Sequence, residues 1–170
     1  MVYFVTENRV KDFTLVLGNV DAKLINPLIP TISDMRIKDY LGTLFYDDLL
    51  DKYNAQTLSS DETEVVSIIQ SAILWRAAEE VALTSSYQIT NKGPQQQNGQ
   101  NSLPPSDSAI GMISKHYAQK AEYYESRLIN HLKINKDLFP LFISDANNDS
   151  SITDVIPITT QPYNRDINLF

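Results

Sequence analysis

The chain has 170 residues, of which 42% are hydrophobic and 21% charged, a composition typical of one ordinary globular domain with a real core. Cysteine is absent, which excludes disulfides, thiolate metal sites and cysteine nucleophiles. The formal net charge of -7 argues against binding driven by nucleic-acid phosphates, since duplex affinity comes largely from Lys and Arg. No apolar run approaches the ~20 residues of a membrane-spanning helix, and no signal peptide is recognisable, so we expect no membrane association.

Residues 1–30 are predicted to form an extended amino-terminal arm. Their apolar residues alternate only weakly, and the segment meets Pro27 and Pro30, which break regular structure. Ser33 can then cap a helix that we expect to begin there.

Two short helices are expected next, at about residues 33–41 and 43–54, because large apolar residues recur at helical spacing. Gly42 separates them. A glycine at this point lets the chain bend or approach a neighbour closely.

The strongest helix prediction covers about residues 60–86. Ser59 and Glu62 have the spacing of a capping box, and apolar residues follow at helical intervals. Ile68, Trp75 and Leu83 widen the apolar surface beyond one stripe. We therefore expect this helix to lie centrally and to be contacted from several sides.

Residues 91–105 contain one bulky apolar residue, three prolines and a run of amides, so they cannot bury enough surface to fold alone. Such a loop is either a plain flexible insertion or a segment that a partner orders. The sequence favours neither alternative. We predict that the loop becomes ordered on a neighbour.

A last long helix is expected after Ser106, which can cap it, with apolar residues spaced three and four apart as far as Leu132. Beyond Pro140 the composition changes. Residues 141–170 are predicted to form an extended carboxyl-terminal arm that docks on another subunit.

The fold class predicted from these segments is mainly α. Residues 31–140 would form a small bundle of about four helices, with extended arms at both ends. The predicted bundle core comprises Leu41, Leu44, Ile69, Ile73, Trp75, Ala77, Val81, Ile113, Tyr117, Ala121, Tyr124 and Leu128.

Candidate chemical groups are few. His116 and His131 would lie ~22 Å apart on one straight helix and could not share a metal. Neither has Glu three residues before it, which excludes a di-iron carboxylate pattern. We expect no metal, no cofactor and no enzymatic activity.

Two acidic groups are the alternative candidates for a chemical site. Residues 145–156 have part of the spacing of a calcium loop but lack its Gly and its bidentate Glu. Asp47, Asp48 and Asp51 could line one helix edge, although such clusters are usually solvated helix faces.

A third group combines an aromatic residue with charges on an apolar helix. It consists of Trp75, Arg76, Glu79 and Glu80, and we expect structural ion pairing there, within the subunit or across an interface.

The order of several weak motifs resembles a family of uncharacterised virion proteins of crAss-like phages and, more broadly, the helical head-tail adaptor proteins of tailed phages. The resemblance covers roughly residues 15–140. Two segments depart from it, the Gln-rich loop and the arm beyond Pro140. The motifs are Leu24-Ile25-Asn26-Pro27, Leu41-Gly42-Thr43-Leu44-Phe45-Tyr46, Trp75-Arg76-Ala77-Ala78, Ile89-Thr90-Asn91-Lys92-Gly93, and a Tyr-rich last helix with Ala118, Ala121, Tyr124 and Leu128.

The resemblance implies a head-tail connector ring in the virion, with twelve copies, that binds the portal protein and other neck or tail proteins. DNA would pass through its channel without specific binding. The residues predicted to contact another subunit or protein are Leu24, Ile25, Ile152, Val155, Ile156, Ile158, Leu169 and Phe170. The alternative is a helical interaction module of non-virion type that acts as a monomer or dimer.

Overall fold

The computed structural model describes residues 3–16, 18–84, 87–90, 93–96 and 106–142, with residues 87–90 and 93–96 described by their backbone. This part of the chain is mainly helical, as the sequence predicts. Its elements are α1 (Glu7–Phe13), α2 (Ala22–Ile25), α3 (Leu28–Ile32), a π-helical segment (Ser33–Ile37), α4 (Lys38–Leu41), α5 (Thr43–Ala55), α6 (Ser60–Thr84), β1 (Tyr87–Thr90), β2 (Gly93–Gln96), α7 (Asp107–Ile134) and a short 3-10 helix (Lys136–Leu138).

Helix α6 is the centre of the fold. Its amino terminus carries the predicted capping box: the Ser59 N–H donates to Glu62 Oε2 at 2.8 Å, and the Glu62 N–H donates to Ser59 Oγ at 3.2 Å. Helix α7 packs along one side of α6, and α1, α2, α3 and the π-helical segment pack on others. The prediction of a central helix contacted from several sides is confirmed.

Helix α7 lies alongside α6 and turns one face towards it. The predicted cap forms, because Ser106 Oγ accepts a hydrogen bond from the Ala109 N–H at 3.3 Å. Buried side chains recur every three or four residues along the face that meets the bundle, and they include Ile110, Ser114, Tyr117, Ala121, Glu125, Leu128 and Leu132.

The amino-terminal region is a helical part of the core, so the prediction of an extended arm over residues 1–30 is wrong. Phe4, Val10 and Ile25 are fully buried. The Gln70 side-chain amide donates to the Phe4 carbonyl oxygen at 2.9 Å, which ties this region to α6.

Two prolines that look like breakers are tolerated here. Pro27 is the N-cap of α3, and Pro30 lies in its first turn, where a backbone N–H would have no partner within the helix. Ser33 is not the predicted N-cap, because the helix already begins at Leu28 and Ser33 is the C-cap of α3. Its buried hydroxyl instead donates to the Ile29 carbonyl oxygen at 2.8 Å.

Gly42 interrupts the helix between α4 and α5, as predicted. Its backbone has φ 78° and ψ 154°, a conformation that is accessible essentially only to glycine. Helix α5 then packs back on the core, and the Tyr46 ring meets the Phe4 ring edge to face with centroids 5.5 Å apart.

Strands β1 and β2 form an antiparallel hairpin after α6, in which Tyr87 pairs with Gln96 and Thr90 pairs with Gly93. Part of the segment predicted as a flexible loop is therefore a strand. Residues 91, 92 and 97–105, the remainder of that loop, lie outside the described residues. Among the helices that the structure describes, none is both long and apolar enough to cross a membrane.

Candidate interaction surface and its buried ionic support

A buried ion pair joins the two long helices. The Arg76 guanidinium on α6 contacts Glu125 on α7 through both Nε to Oε1 and Nη2 to Oε2, each at 2.8 Å. Its Nη1 donates to Glu79 Oε2 at 2.7 Å. Trp75 and Glu80 are the other two members of the group that the sequence singles out. The predicted structural ion pairing is confirmed within one chain.

The pair is almost fully removed from solvent, with Arg76 9% and Glu125 5% exposed. Burial alone would lower the pKa of Arg76, but the hydrogen bonds and charges of Glu125 and Glu79 outweigh it and raise that pKa. The Tyr40 hydroxyl donates to Glu125 Oε2 at 3.4 Å, and burial together with the Glu125 charge raises the pKa of Tyr40. Loss of either main partner would leave an uncompensated buried charge, so the pair fixes how α7 sits on α6.

An aromatic and cationic cluster lies beside the ion pair, closer to the surface. The Trp75 ring is half-buried and packs near the Tyr117 ring, with centroids 5.9 Å apart. Lys120 Nζ lies 3.9 Å from the centroid of the Trp75 ring, a cation–π contact. This cluster marks the edge between the buried and the exposed sides of α7.

One exposed side of α7 carries large apolar residues. Met112 is 72%, Tyr123 63% and Ile134 79% exposed. The three are spaced 11 residues apart, and since about 11 residues make three turns of an α-helix, they lie on the same side. His116 and Arg127 are also 11 residues apart and lie on this side. We call this side of α7, with these five residues, the outer flank.

The outer flank also carries positive charge. Arg127 and His116 lie along it and Lys120 borders it, and no α7 residue that the structure describes on this flank is a carboxylate. The other exposed side, here called the polar flank, has no large apolar residue among its described positions. It consists of Lys115, Gln119, Glu122, Ser126 and Lys133.

Most residues predicted for the core are buried, but two are exposed. Leu44 is 54% and Ile113 46% exposed, and both are corrected to surface positions. Ser114 faces inward in place of Ile113, and Phe45 and Tyr46 face inward in place of Leu44. The buried predictions are Leu41, Ile69, Ile73, Ala77, Val81, Tyr117, Ala121 and Leu128, while Trp75 and Tyr124 are half-buried.

The residues predicted to contact partners have different locations. Ile25 is fully buried inside the chain and is a core residue, whereas Leu24 is half-buried. Ile152, Val155, Ile156, Ile158, Leu169 and Phe170 lie outside the described residues, as does the segment weighed as a calcium loop.

Two aspartates of the acidic cluster on α5 pair with lysines, and the two histidines have different neighbours. Lys38 Nζ lies 3.1 Å from Asp47, and Lys52 Nζ lies 2.7 Å from Asp48. His131 Nδ1 lies 3.7 Å from Glu64 Oε1, while His116 stands beside Tyr117. Across the described residues, no group of three or more such side chains could hold a metal ion.

An open depression of about 450 Å³ lies where α5 ends and α6 begins, lined by Tyr53, Asn54, Gln56, Leu58 and Thr63. None of these side chains is a carboxylate, an imidazole or a basic group.

Two features escaped sequence reasoning. One is Glu125, because nothing local in the sequence marks it as the partner of Arg76. The outer flank does have a signal in the sequence, the 11-residue repeat of Met112, Tyr123 and Ile134 and of His116 and Arg127. The apolar residues that face α6 are only three and four apart, so their pattern is easier to recognise than the 11-residue repeat.

The fold and this surface define a mainly helical protein whose long helix pair, locked by a buried ion pair, exposes one apolar, basic flank. A family model matches residues 37–152, about two thirds of the chain. The chain belongs to that family, DUF6712, a family of unknown function. No curated protein and no solved structure matches the chain.

Proposed function

We propose that this protein is a virion structural protein of a tailed phage, a head-tail connector whose copies form a ring that binds the portal and joins it to neck or tail proteins. The accompanying architecture is the helical bundle described above with the extended carboxyl-terminal arm that the sequence predicts. Twelve copies would match the adaptor proteins that the sequence resembles.

The outer flank of α7 is the observation that carries the proposal. Single exposed apolar residues are normal on any protein, but Met112, Tyr123 and Ile134 form a row on one side of one helix. Such a row, next to basic residues, is typical of a surface that binds another polypeptide.

The buried ion pair supports the same proposal. A closed ring requires every copy to present its interfaces in the same relative orientation. Helix α6 has 25 residues and α7 has 28, so they are about 37 and 42 Å long. The bidentate contact of Arg76 with Glu125 holds these two rods in one register.

The net charge fits a conduit for DNA. With a formal charge of -7 on each copy, a ring would repel a duplex weakly and favour its sliding over its binding. Specific recognition of bases is not part of the proposal.

The test is the mass of the purified full chain in sedimentation velocity, alone and mixed with the portal protein of the same phage. We expect a ring, or a monomer that the portal recruits in the portal's own stoichiometry. A triple variant of the outer flank, Met112→Gln, Tyr123→Gln and Ile134→Gln, should stay folded and fail to assemble.

A matched variant of the polar flank is the control: Lys115→Gln, Ser126→Gln and Lys133→Gln should assemble like the unmodified chain. A monomer that ignores the portal would contradict the connector and favour a monomeric or dimeric interaction module. Equal assembly of both triple variants would remove the outer flank from the proposal.

A further inference from the structure

We infer that the outer flank of α7 binds the carboxyl-terminal segment, residues 143–170, of a neighbouring copy of the same chain. The inference rests on the connector ring proposed above, because it names the partner of the same surface. Its basis is the match between the flank and that segment in charge, apolar content and reach.

The charges of the two parts are opposite. Residues 143–170 contain four Asp and one Arg, without Lys or Glu. The flank presents Arg127 and is bordered by Lys120, with His116 between the apolar residues, and its described α7 positions hold no carboxylate. Opposite charges at an interface rim speed association and suppress wrong partners.

The apolar residues also suit each other. Ile152, Val155, Ile156 and Ile158 lie within seven consecutive residues of the segment. The flank offers Met112, Tyr123 and Ile134, each more than half exposed. Covering both sets would remove apolar surface from water, which favours association.

The segment is long enough to reach a second molecule. Its 28 residues can span up to about 90 Å when extended, whereas the outer flank, from Met112 to Ile134, is about 33 Å long. The segment starts after Phe142, whose ring packs 6.0 Å from the Phe45 ring.

A neighbouring copy is the expected acceptor because surface and segment are different parts of one chain. When a complementary pair sits at two places on each subunit, copies join head to tail, and such a heterologous interface closes into a ring when the rotation permits. Binding of the segment to its own α7 would instead cover the flank within each monomer.

Engineered disulfides can test this inference, since the natural chain has no cysteine. One full-length chain carries Tyr123→Cys on the flank, and another carries Ile156→Cys in the segment. The two are mixed and mildly oxidised, and mixed disulfides are identified by mass spectrometry of the linked peptides. A chain with Ser126→Cys on the polar flank replaces the first in the control.

We expect the disulfide between positions 123 and 156 to form several-fold more than that between 126 and 156. In a chain that carries both Tyr123→Cys and Ile156→Cys, it should form only between different molecules. Arg127→Glu with Lys120→Glu should lower its yield several-fold, while Lys115→Glu with Lys133→Glu should not. Equal yields at 123 and 126 would overturn the inference. So would a chain bearing both Tyr123→Cys and Ile156→Cys that links only to itself.

Sedimentation of the same mixtures separates this inference from the connector proposal. A ring that assembles without preferential linking at position 123 rejects the segment as the partner and leaves the connector intact. A chain that stays monomeric with and without portal rejects the connector, and with it the inference. Helix content and thermal melting of each variant show that the fold is retained.

Discussion

The two sides of α7 have opposite roles although they belong to the same 28 residues. The inner side buries Tyr117, Leu128 and Leu132 and pairs Glu125 with Arg76. The outer flank leaves Met112, Tyr123 and Ile134 in solvent. The contrast teaches that apolar character alone does not tell which side of a helix faces the core, because both sides have it.

The largest expected effect comes from breaking the inner ion pair. Arg76→Met would leave Glu125 buried without its main partner, so we expect the free energy of unfolding to fall by about 3–5 kcal/mol. Urea denaturation followed by circular dichroism measures it. The outer flank contains no contact whose loss should cost as much.

The double variant Arg76→Met with Glu125→Met is the control for that prediction. It removes both charges, so much of the lost stability should return. If the double variant is no more stable than Arg76→Met, an uncompensated charge is not the cause.

The next effect separates a buried from an exposed tyrosine by pH. Burial raises the pKa of Tyr46 to about 12, from an ordinary value of about 10. The folded state resists ionisation of Tyr46. The contribution of Tyr46 to the free energy of unfolding is therefore fully present below about pH 10 and is lost as the pH rises towards 12. The loss should amount to about 2 kcal/mol.

Tyr46→Phe removes the ionising hydroxyl, so the variant should lose less stability between pH 10 and 12 than the natural chain. Urea denaturation at a series of pH values gives the comparison. Tyr123→Phe on the outer flank is the matched control and should follow the natural chain. Identical pH profiles for all three proteins would show that ionisation of Tyr46 is not coupled to unfolding.

Features encoded by neighbouring residues were predictable from the sequence. The Ser59 and Glu62 capping box, the Ser106 cap and the break at Gly42 depend on residues within one turn of each other, and all three are in the structure. The prolines misled the prediction because their effect depends on where the helix begins. At the N-cap and in the first turn of α3, Pro27 and Pro30 cost no helical hydrogen bond.

Features that depend on the packing of distant segments were not predictable. Arg76 and Glu125 are 49 residues apart, so only the fold brings them together. Ile113 follows the apolar spacing of the seam, yet Ser114 is buried in its place. Both positions keep spacings of three and four residues, so the spacing alone does not decide which of them faces α6.

The smallest expected effect on stability decides whether the outer flank is open in the monomer. Tyr123→Ser should change the free energy of unfolding by less than about 0.5 kcal/mol, because the side chain is largely exposed and Ser and Tyr have similar helix propensities. Leu128→Ala, one and a half turns further along the same helix, should cost about 2–5 kcal/mol because it leaves a cavity.

Both variants should be measured by urea denaturation at a concentration where sedimentation shows a monomer. A loss above about 1 kcal/mol for Tyr123→Ser would mean that part of the same chain already covers the flank. A segment that folds back on its own α7 would leave no surface for a neighbour, and the head-to-tail interface would fail on energetic grounds. A negligible loss, together with impaired assembly, would assign the apolar row to contacts between molecules.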